Sequence, residues 1–444
     1  MRRKRISVFI FYFLLKLEDS LSKIIHRDQE VDKVCQEQYL LIVLQLKQYL
    51  KAVTVANDIL ITDPKNARSL ETICLAFVEE EHIPISLEKV GEVIDTFLSE
   101  YSNNNVHGLL AKARWLLLHQ KSLEAKQLLE LLNKKEATPR SQLLLCDAYQ
   151  QLQQWSKMGN TCRNRIDSSE SDKLFWNLKL IKSLLEEGGE KCLNEASSLL
   201  NLIRDEAKSS LTFKLLEIAS LLRTAQLEKC KNKLDLLEED QPTESMEQVM
   251  LLKAEYLGKI GKEDEAIELL DRACEQHPQN VYLLLSAAKM LWNWVNQRQK
   301  SIAILLNVIK INRDIAEPYI LLGIFYGEQR QNLSSLQRAI RCLEKAFQLD
   351  PYETRTSEHL LELYLLIDDI SSGVKLLEVV VQSNSKNRRW GWLQKGLLHL
   401  KIRQNEKEVF DKEKEAGRAI MCLQNALAIE SNDSAAWEAL GIVL

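Results

Sequence analysis

A period of roughly 34 residues runs through most of the chain, and it restricts the possible folds more than any other feature. The clearest copy covers residues 316–351, AEPYILLGIFYGEQRQNLSSLQRAIRCLEKAFQLDP. Here Gly323 and Ala339 stand where the two helices of a hairpin would cross, so that the helix axes can approach to about 8–10 Å. Pro351 marks the turn to the next copy because proline cannot extend a helix. Further copies start near residues 33, 67, 106, 140, 173, 211, 247, 281, 354, 389 and 434.

Small residues recur at these crossing positions in the C-terminal copies. The predicted repeat-packing residues are Ala254, Ala266, Ala273, Gly323, Ala339, Ala346, Gly396, Ala419, Ala426 and Gly441. Helical hairpins of this length and pattern are typical of the tetratricopeptide (TPR) repeat. With only 14 Gly and 7 Pro in 444 residues, the sequence predicts an all-α fold. It predicts a right-handed α-α superhelix of about eleven helical hairpins plus a truncated twelfth.

The repeats suggest a division of the chain into four parts. Residues 33–139 are predicted to form N-terminal repeats, 140–246 degenerate TPR-like repeats, and 247–444 C-terminal repeats that end within a copy. Residues 1–32 are a hydrophobic and basic segment whose start, MRRKRISVFIFYFLL, resembles a signal peptide. Lys16, Glu18 and Asp19 follow at once without an A-x-A site. We therefore expect a helix that packs on a preceding repeat, or a sequence that is not native to the start of the protein.

The charge and cysteine content exclude several classes of protein. The net charge of −4 comes from 59 basic and 63 acidic residues that are well mixed, so no global field attracts nucleic acid or an anionic membrane. Nine cysteines form no C-x-x-C pair. We expect them to be reduced and to pack as small apolar side chains, which indicates a reducing compartment.

Catalytic and metal-binding motifs are absent from the sequence. It contains no phosphate-binding glycine loop, nucleophile elbow, H-E-x-x-H or EF-hand motif. Seven dispersed histidines are predicted to be solvated or to lie in turns. SKNRRWGW at 385–392 is the one place where arginine stands next to aromatic residues that look exposed, and Trp392 is expected to pack in the core. The sequence thus predicts no catalytic, cofactor, metal or direct nucleic-acid site, and no membrane span.

A surface for protein partners is the remaining prediction. TPR arrays bind peptides or partner helices on the concave side, which the first helix of each hairpin lines. The partner-binding residues predicted there are Glu255, Lys259, Lys289, Trp292, Glu328, Glu358 and Glu362. TPR co-chaperones that clamp acidic tails carry a Lys and an Asn four residues apart on a first helix. Glu358 and Glu362 stand at such positions, so a clamp of that kind is not expected.

Three segments resemble one particular family of TPR proteins. They are PYILLGIFYGEQRQNLSSLQRAIRCLEKAFQLDPYE, RRWGWLQKGLLHLKI and AIMCLQNALAIESNDSAAWEALG, within residues 316–444. In order and pattern they resemble the TPR scaffold subunit of the superkiller (Ski) complex. The resemblance implies a two-armed solenoid that organises a DExH RNA helicase, WD40 subunits and an exosome-linked factor for 3′–5′ decay of mRNA. It implies a cytoplasmic location, with a nuclear one also open. The chain departs from the family in its shorter length and in a charged insertion at residues 406–418.

Two other functions stay open at this point. One is a TPR adaptor or co-chaperone that binds short peptides in trafficking or chaperoning. The other is a regulatory region attached to a catalytic domain that would follow residue 444. Both share the predicted fold, so the period of the repeats does not separate them from a scaffold.

Overall fold

The computed structural model describes residues 33–443 except 81, 102–104, 169–171, 241–245, 295–296, 329–331, 352, 383–386 and 406–407. In these residues it contains 23 α-helices and no strand, which confirms the predicted all-α repeat fold. The signal-peptide-like segment 1–32 lies outside the described residues. The chain divides into two compact units between Arg223 and Thr224. The finer division at residues 139 and 246 stays a prediction.

The first unit contains five helical hairpins and one further helix. The hairpins are α1–α2, α3–α4, α5–α6, α7–α8 and α9–α10, and α11 follows them. The helices are α1 Lys33–Gln45, α2 Tyr49–Thr62, α3 Ala67–Glu79, α4 Leu87–Glu100, α5 Val106–Leu118, α6 Ser122–Lys135, α7 Pro139–Gln151, α8 Trp155–Ser168, α9 Lys173–Glu187, α10 Glu190–Ala207 and α11 Leu211–Arg223.

The second unit begins with one helix, continues with five hairpins and ends with a single helix. The helices are α12 Leu227–Asp240, α13 Met246–Lys259, α14 Glu263–Gln276, α15 Val281–Trp292, α16 Arg298–Ile311, α17 Glu317–Glu328, α18 Leu333–Leu349, α19 Thr354–Leu366, α20 Ile370–Gln382, α21 Arg388–Asn405, α22 Val409–Ile429 and α23 Ser434–Val443. The hairpin predicted from residue 211 therefore has its first helix in one unit and its second helix in the other.

Small side chains fill the helix crossings of the hairpins α13–α14, α17–α18 and α21–α22. The seven predicted packing alanines, Ala254, Ala266, Ala273, Ala339, Ala346, Ala419 and Ala426, are fully buried. A Cβ added to Gly323 would stand 2.6 Å from Leu343 Cγ, and one added to Gly396 would stand 2.8 Å from Leu423 Cγ. Gly441 differs from the prediction because a Cβ there would meet no atom within 4 Å. No second helix packs on this side of α23 in the described part of the chain.

Five hairpins share one type of turn. After α1, α5, α7, α13 and α19, three residues connect to the next helix, and the middle one has a positive φ. These middle residues are Lys47, Gln120, Gln153, Gly261 and Asp368, with φ between 58° and 81°. In each turn the next N–H donates to a carbonyl five residues earlier, as from Gln154 to Tyr149 at 2.8 Å. This is the Schellman ending of a helix, and it fixes where the second helix starts.

Asparagine caps link successive hairpins through side-chain hydrogen bonds. Asn66 caps α3 and donates to Glu37 of α1 over 2.9 Å. Asn280 caps α15 and donates to Glu247 of α13 over 2.8 Å. Each asparagine side chain caps the first helix of one hairpin and also donates a hydrogen bond to the first helix of the preceding hairpin. It therefore sets both where the helix begins and how the two hairpins stack.

Cysteines pack as the sequence predicts. All nine are free thiols, and Cys74, Cys146, Cys162, Cys230 and Cys422 are buried. Burial raises the pKa of Cys74 to about 12, so this thiol stays protonated and behaves as a small apolar side chain.

The charged insertion near residue 406 is largely helical. It extends the hairpin α21–α22, whose helices have 18 and 21 residues. The prediction of a solvated or turn histidine is wrong for His399, which is 6% exposed. Its Nδ1 lies 2.6 Å from Glu415 Oε2, and Arg418 Nη1 lies 2.5 Å from Glu415 Oε1. The long α22 brings this carboxylate over α21, and the hydrogen bonds compensate for its burial.

Candidate partner-binding cleft

The first helices α15, α17 and α19 are joined by a buried carboxylate. Glu317, at the start of α17, is 7% exposed. Its Oε1 lies 3.3 Å from Lys289 Nζ of α15, and its Oε2 lies 2.9 Å from Arg355 Nη2 of α19. A buried charge is costly unless it is paired, so the two cations hold these three helices at a defined spacing.

The protonation of Glu317 reflects this arrangement. Burial alone raises the pKa of the carboxyl, but the charges of Lys289 and Arg355 and the hydrogen bonds that both donate outweigh it. The pKa is therefore lower than the ordinary value of 4.5. The pKa of Arg355 is raised because attraction to Glu317 and Glu353 outweighs its burial. Glu317 and Arg355 are thus both charged at neutral pH.

An aromatic cluster lies beside the triad. Trp292 of α15 packs edge-on against Phe325 of α17, with ring centroids 5.9 Å apart. The guanidinium of Arg298 stands 5.5 Å from the Trp292 ring centre and donates to Glu328 Oε2 over 2.7 Å. Arg298 is held by the Trp292 ring on one side and pairs with Glu328 on the other, and this arrangement fixes the position of the Glu328 carboxylate.

Between α17 and α19 the surface opens into a cleft of about 300 Å³. Two glycines of α17, Gly323 and Gly327, lie at positions i and i+4 on one helix face; Leu343 fills the space beside Gly323, whereas an added Cβ at Gly327 would find its nearest neighbour at 3.5 Å. Leu343 of α18 and Leu363 of α19 contribute apolar side chains. The full lining is Gly323, Ile324, Gly327, Glu328, Leu343, His359, Glu362, Leu363 and Leu366. We call this the α17–α19 cleft.

Two of the predicted partner-binding residues line the cleft. Their side chains are about half exposed, 47% for Glu328 and 53% for Glu362. His359, which the sequence did not single out, also lines the cleft and is 41% exposed. Its Nδ1 is 3.9 Å from Glu362 Oε2. The wall is apolar and the polar groups are acidic, apart from this imidazole.

The other predicted residues lie elsewhere on first helices. Glu255 and Lys259 are on α13, where their side chains approach to 3.5 Å. Lys289 and Trp292 support the ion triad and the aromatic cluster. Glu358 is exposed on α19, one turn before Glu362, and does not line the cleft. Whether any of these residues touches a partner stays a prediction.

Sequence reasoning missed the residues that hold the surface together. Glu317 and Arg355 carry no local signal of pairing because they are separated by 38 residues. The repeat frame does place both at the start of first helices, and successive first helices are neighbours. Comparing equivalent positions of adjacent copies for opposite charges would have found the pair.

The arginine and tryptophan cluster at the start of α21 packs into the fold. Trp390 and Trp392 are partly buried against apolar clusters. Arg389 forms ion pairs with Asp433, which caps α23, and with Glu430 at 3.0 Å.

Among the described residues no group of three or more His, Cys, Asp or Glu could hold a metal ion. The helices of this part of the chain include none that is long and apolar enough to cross a membrane.

Comparison with known proteins agrees with the resemblance inferred from the sequence. The chain is 28% identical over 188 residues to tetratricopeptide repeat protein 37 of Xenopus laevis, which covers 41% of this chain and 11% of that protein. It is 28% identical over 145 residues to superkiller complex protein 3 of Mus musculus, which covers 32% of this chain and 8% of that protein. The chain is similar to superkiller complex protein 3. The human protein of that name gives 27% over 145 residues. These matches span about a tenth of the relatives' length.

No protein-family model matches the chain. Solved structures with a helical arrangement in common include the Cut9–Hcn1 hetero-tetramer of the APC/C, with 14% identity, 93% of this chain and 97% of that chain covered, and a TM-score of 0.33. They also include the human IFIT1 dimer with m7Gppp-AAAA. This match has 14% identity and a TM-score of 0.40, and it covers 86% of this chain and 91% of that chain. At these scores neither likeness carries a functional conclusion for this chain.

Proposed function

We propose that this chain is a non-catalytic TPR scaffold of the superkiller type, which holds a DExH RNA helicase and WD40 subunits for exosome-mediated 3′–5′ decay of mRNA in the cytoplasm. The similarity to superkiller complex protein 3 over 145 residues carries the proposal. That similarity covers 8% of the relative, so the partners named here are part of the proposal.

The first-helix surface of the second unit supports a scaffold role. The triad of Lys289, Glu317 and Arg355 fixes three successive first helices, and a surface that is already ordered loses little entropy on binding. Its exposed charged groups carry both signs. Half-buried aromatic rings such as Trp292 lie among them. This composition suits a protein partner, since aromatic and charged residues together dominate binding energy at protein interfaces.

Affinity purification tests the proposal directly. The full-length protein that contains this chain, tagged at its genomic locus, is purified and its partners are identified by mass spectrometry. We expect a DExH helicase and WD40 proteins in amounts comparable to the bait. A purification that yields chaperones or peptide ligands without any helicase would favour the adaptor alternative and contradict the scaffold.

Charge reversal then locates the surface. Glu358→Arg with Glu362→Arg changes the first-helix face of α19, and the matched control Glu268→Arg with Glu275→Arg changes exposed positions of the second helix α14. We expect the first pair to reduce partner recovery several-fold through charge repulsion and the control pair to leave it unchanged. Equal effects of both pairs would argue against a first-helix binding surface.

A further inference from the structure

The α17–α19 cleft separates apolar and acidic groups. Leu343 and Leu363 are buried and, with Ile324, form its apolar wall. The two carboxylates in the lining, Glu328 and Glu362, are half exposed. A ligand that fits must therefore combine an apolar stem with a cation or hydrogen-bond donor that pairs with a carboxylate.

Lysine and arginine have this combination. Their methylene stems pack on apolar side chains while the charged end reaches acceptors or water. A cleft of about 300 Å³ has room for one such side chain and part of its neighbours. We propose that the α17–α19 cleft binds a basic side chain, lysine or arginine, presented by a peptide segment of a protein partner. This inference rests on the proposed function, since it names the chemistry by which a scaffold partner docks.

Glu328 pairs with a guanidinium of the same chain. The carboxylate already accepts a hydrogen bond from Arg298 over 2.7 Å, and a carboxylate has about four lone-pair sites for donors. Arg298 is itself fixed by the Trp292 ring. The Glu328 carboxylate is therefore held in place before a ligand arrives, which reduces the cost of binding.

Other ligands fit the lining less well. A carboxylate or phosphate group would meet no lysine or arginine in the lining and would stand beside the Glu362 carboxylate. An apolar side chain alone would cover these carboxylates without replacing their water, which costs free energy. Charge complementarity therefore favours a cation with an aliphatic stem over an acidic tail, a nucleic acid or a leucine anchor.

The test measures side-chain preference with peptide pools. The purified chain is titrated with labelled pools of about twelve residues whose central position is fixed and whose flanks are randomised. The fixed residue is lysine, arginine, acetyl-lysine, citrulline or norleucine. We expect lysine and arginine pools to bind at least about tenfold more tightly than the three uncharged pools, and the preference to weaken at high salt. Equal binding of norleucine, or no binding of any pool, would overturn the proposal.

Three variants tie the preference to the cleft. Glu362→Gln removes one charge from the cleft lining, while Glu275→Gln makes the same change at an exposed position of the second helix α14, outside the cleft. Gly327→Ala narrows the cleft with a Cβ that stands 3.5 Å from Leu363 Cδ2, an ordinary contact that the fold can accept. We expect Glu362→Gln and Gly327→Ala to reduce lysine and arginine binding about fivefold or more and Glu275→Gln to leave it unchanged. Circular dichroism melting checks that all three are folded.

These outcomes separate the inference from the proposed function. If helicase and WD40 proteins co-purify normally while the basic pools show no preference, the scaffold stands and the cleft proposal fails. If the preference is lost with Glu362→Gln and kept with Glu275→Gln, while no helicase co-purifies, the cleft proposal stands and the scaffold assignment fails. Equal loss with both glutamine variants would place binding outside the cleft and overturn the inference.

Discussion

Single residues decide how closely the helices of this chain approach. Gly323 is the clearest case because Leu343 of α18 occupies the space that a side chain would need. We expect Gly323→Ala to lower the melting temperature, with a loss of about 1–3 kcal/mol from overpacking. Thermal unfolding followed by circular dichroism measures it.

Gly417→Ala is the matched control for this change. Gly417 also lies within a helix, α22, but an added Cβ meets no atom within 4 Å. Alanine favours a helix over glycine by about 0.5–1 kcal/mol, so this variant should be slightly more stable than the parent chain. Equal effects of the two substitutions would mean that the predicted crossing position is wrong.

Glu317 links stability to pH. Its pKa in the folded chain is below the ordinary 4.5, so its ion pairs stabilise the fold above that pH. The contribution is lost as pH falls through the lower folded-state pKa. We expect Glu317→Gln to destabilise the chain by about 2 kcal/mol at pH 7, less than for a fully buried pair because both cations stay partly in water. Urea unfolding at several pH values measures this.

The difference between the parent chain and Glu317→Gln should shrink as pH drops below 4.5. Glu268→Gln serves as the control, because Glu268 is 71% exposed and its removal should change stability little at any pH. A difference that stays constant down to acid unfolding would show that the carboxylate is not the titrating group.

At the scale of the element, the shared turn determines where each second helix begins. Four of its five positive-φ residues are not glycine, and the left-handed region costs other residues roughly 1–2 kcal/mol. We expect Gln120→Gly to raise the free energy of unfolding by about 0.5–1 kcal/mol. Gly261→Ala, at the equivalent position of another turn, should lower it by about 1 kcal/mol. Chemical denaturation of both variants checks the sign at each site.

The turns also show why helix boundaries are hard to predict from this sequence. Glycine is the usual signal for a left-handed helix ending, and Lys47, Gln120 and Gln153 do not give it. The charged insertion after α21 carries no turn signal in its described part. Its glutamates and lysines are good helix formers, and α22 extends through them from Val409.

At the scale of the whole molecule, contacts are local along the chain. Within each unit, the helices in substantial contact are neighbours or next neighbours in sequence. In such an array each hairpin stabilises mainly the adjacent ones. We expect Gly323→Leu, a stronger wedge than alanine, to speed hydrogen exchange in α16 to α19 while α3 to α7 keep their protection. Exchange measured by mass spectrometry would contradict this if protection fell equally in both regions.

The fold could be predicted because it rests on a period. Gly323, Ala339 and Ala346 recur at fixed spacing, and a pattern that repeats many times identifies itself without a second sequence. For the candidate site, the sequence could predict only that it lies on the surface lined by the first helices. Glu328 and Glu362 follow from their first-helix positions, whereas the cleft depends on where Leu343 and Leu363 end in space. The Glu317 triad and the buried His399 depend on contacts between different helices, which local patterns do not encode.

The triad of Lys289, Glu317 and Arg355 also has a mechanical meaning. A scaffold that positions large partners is pulled by them, and in an ordinary repeat array tension opens one hairpin after another. Here one carboxylate ties three successive first helices, so we expect the Glu317 ion pairs to oppose the separation of α15 from α19 when the segment is stretched from its ends.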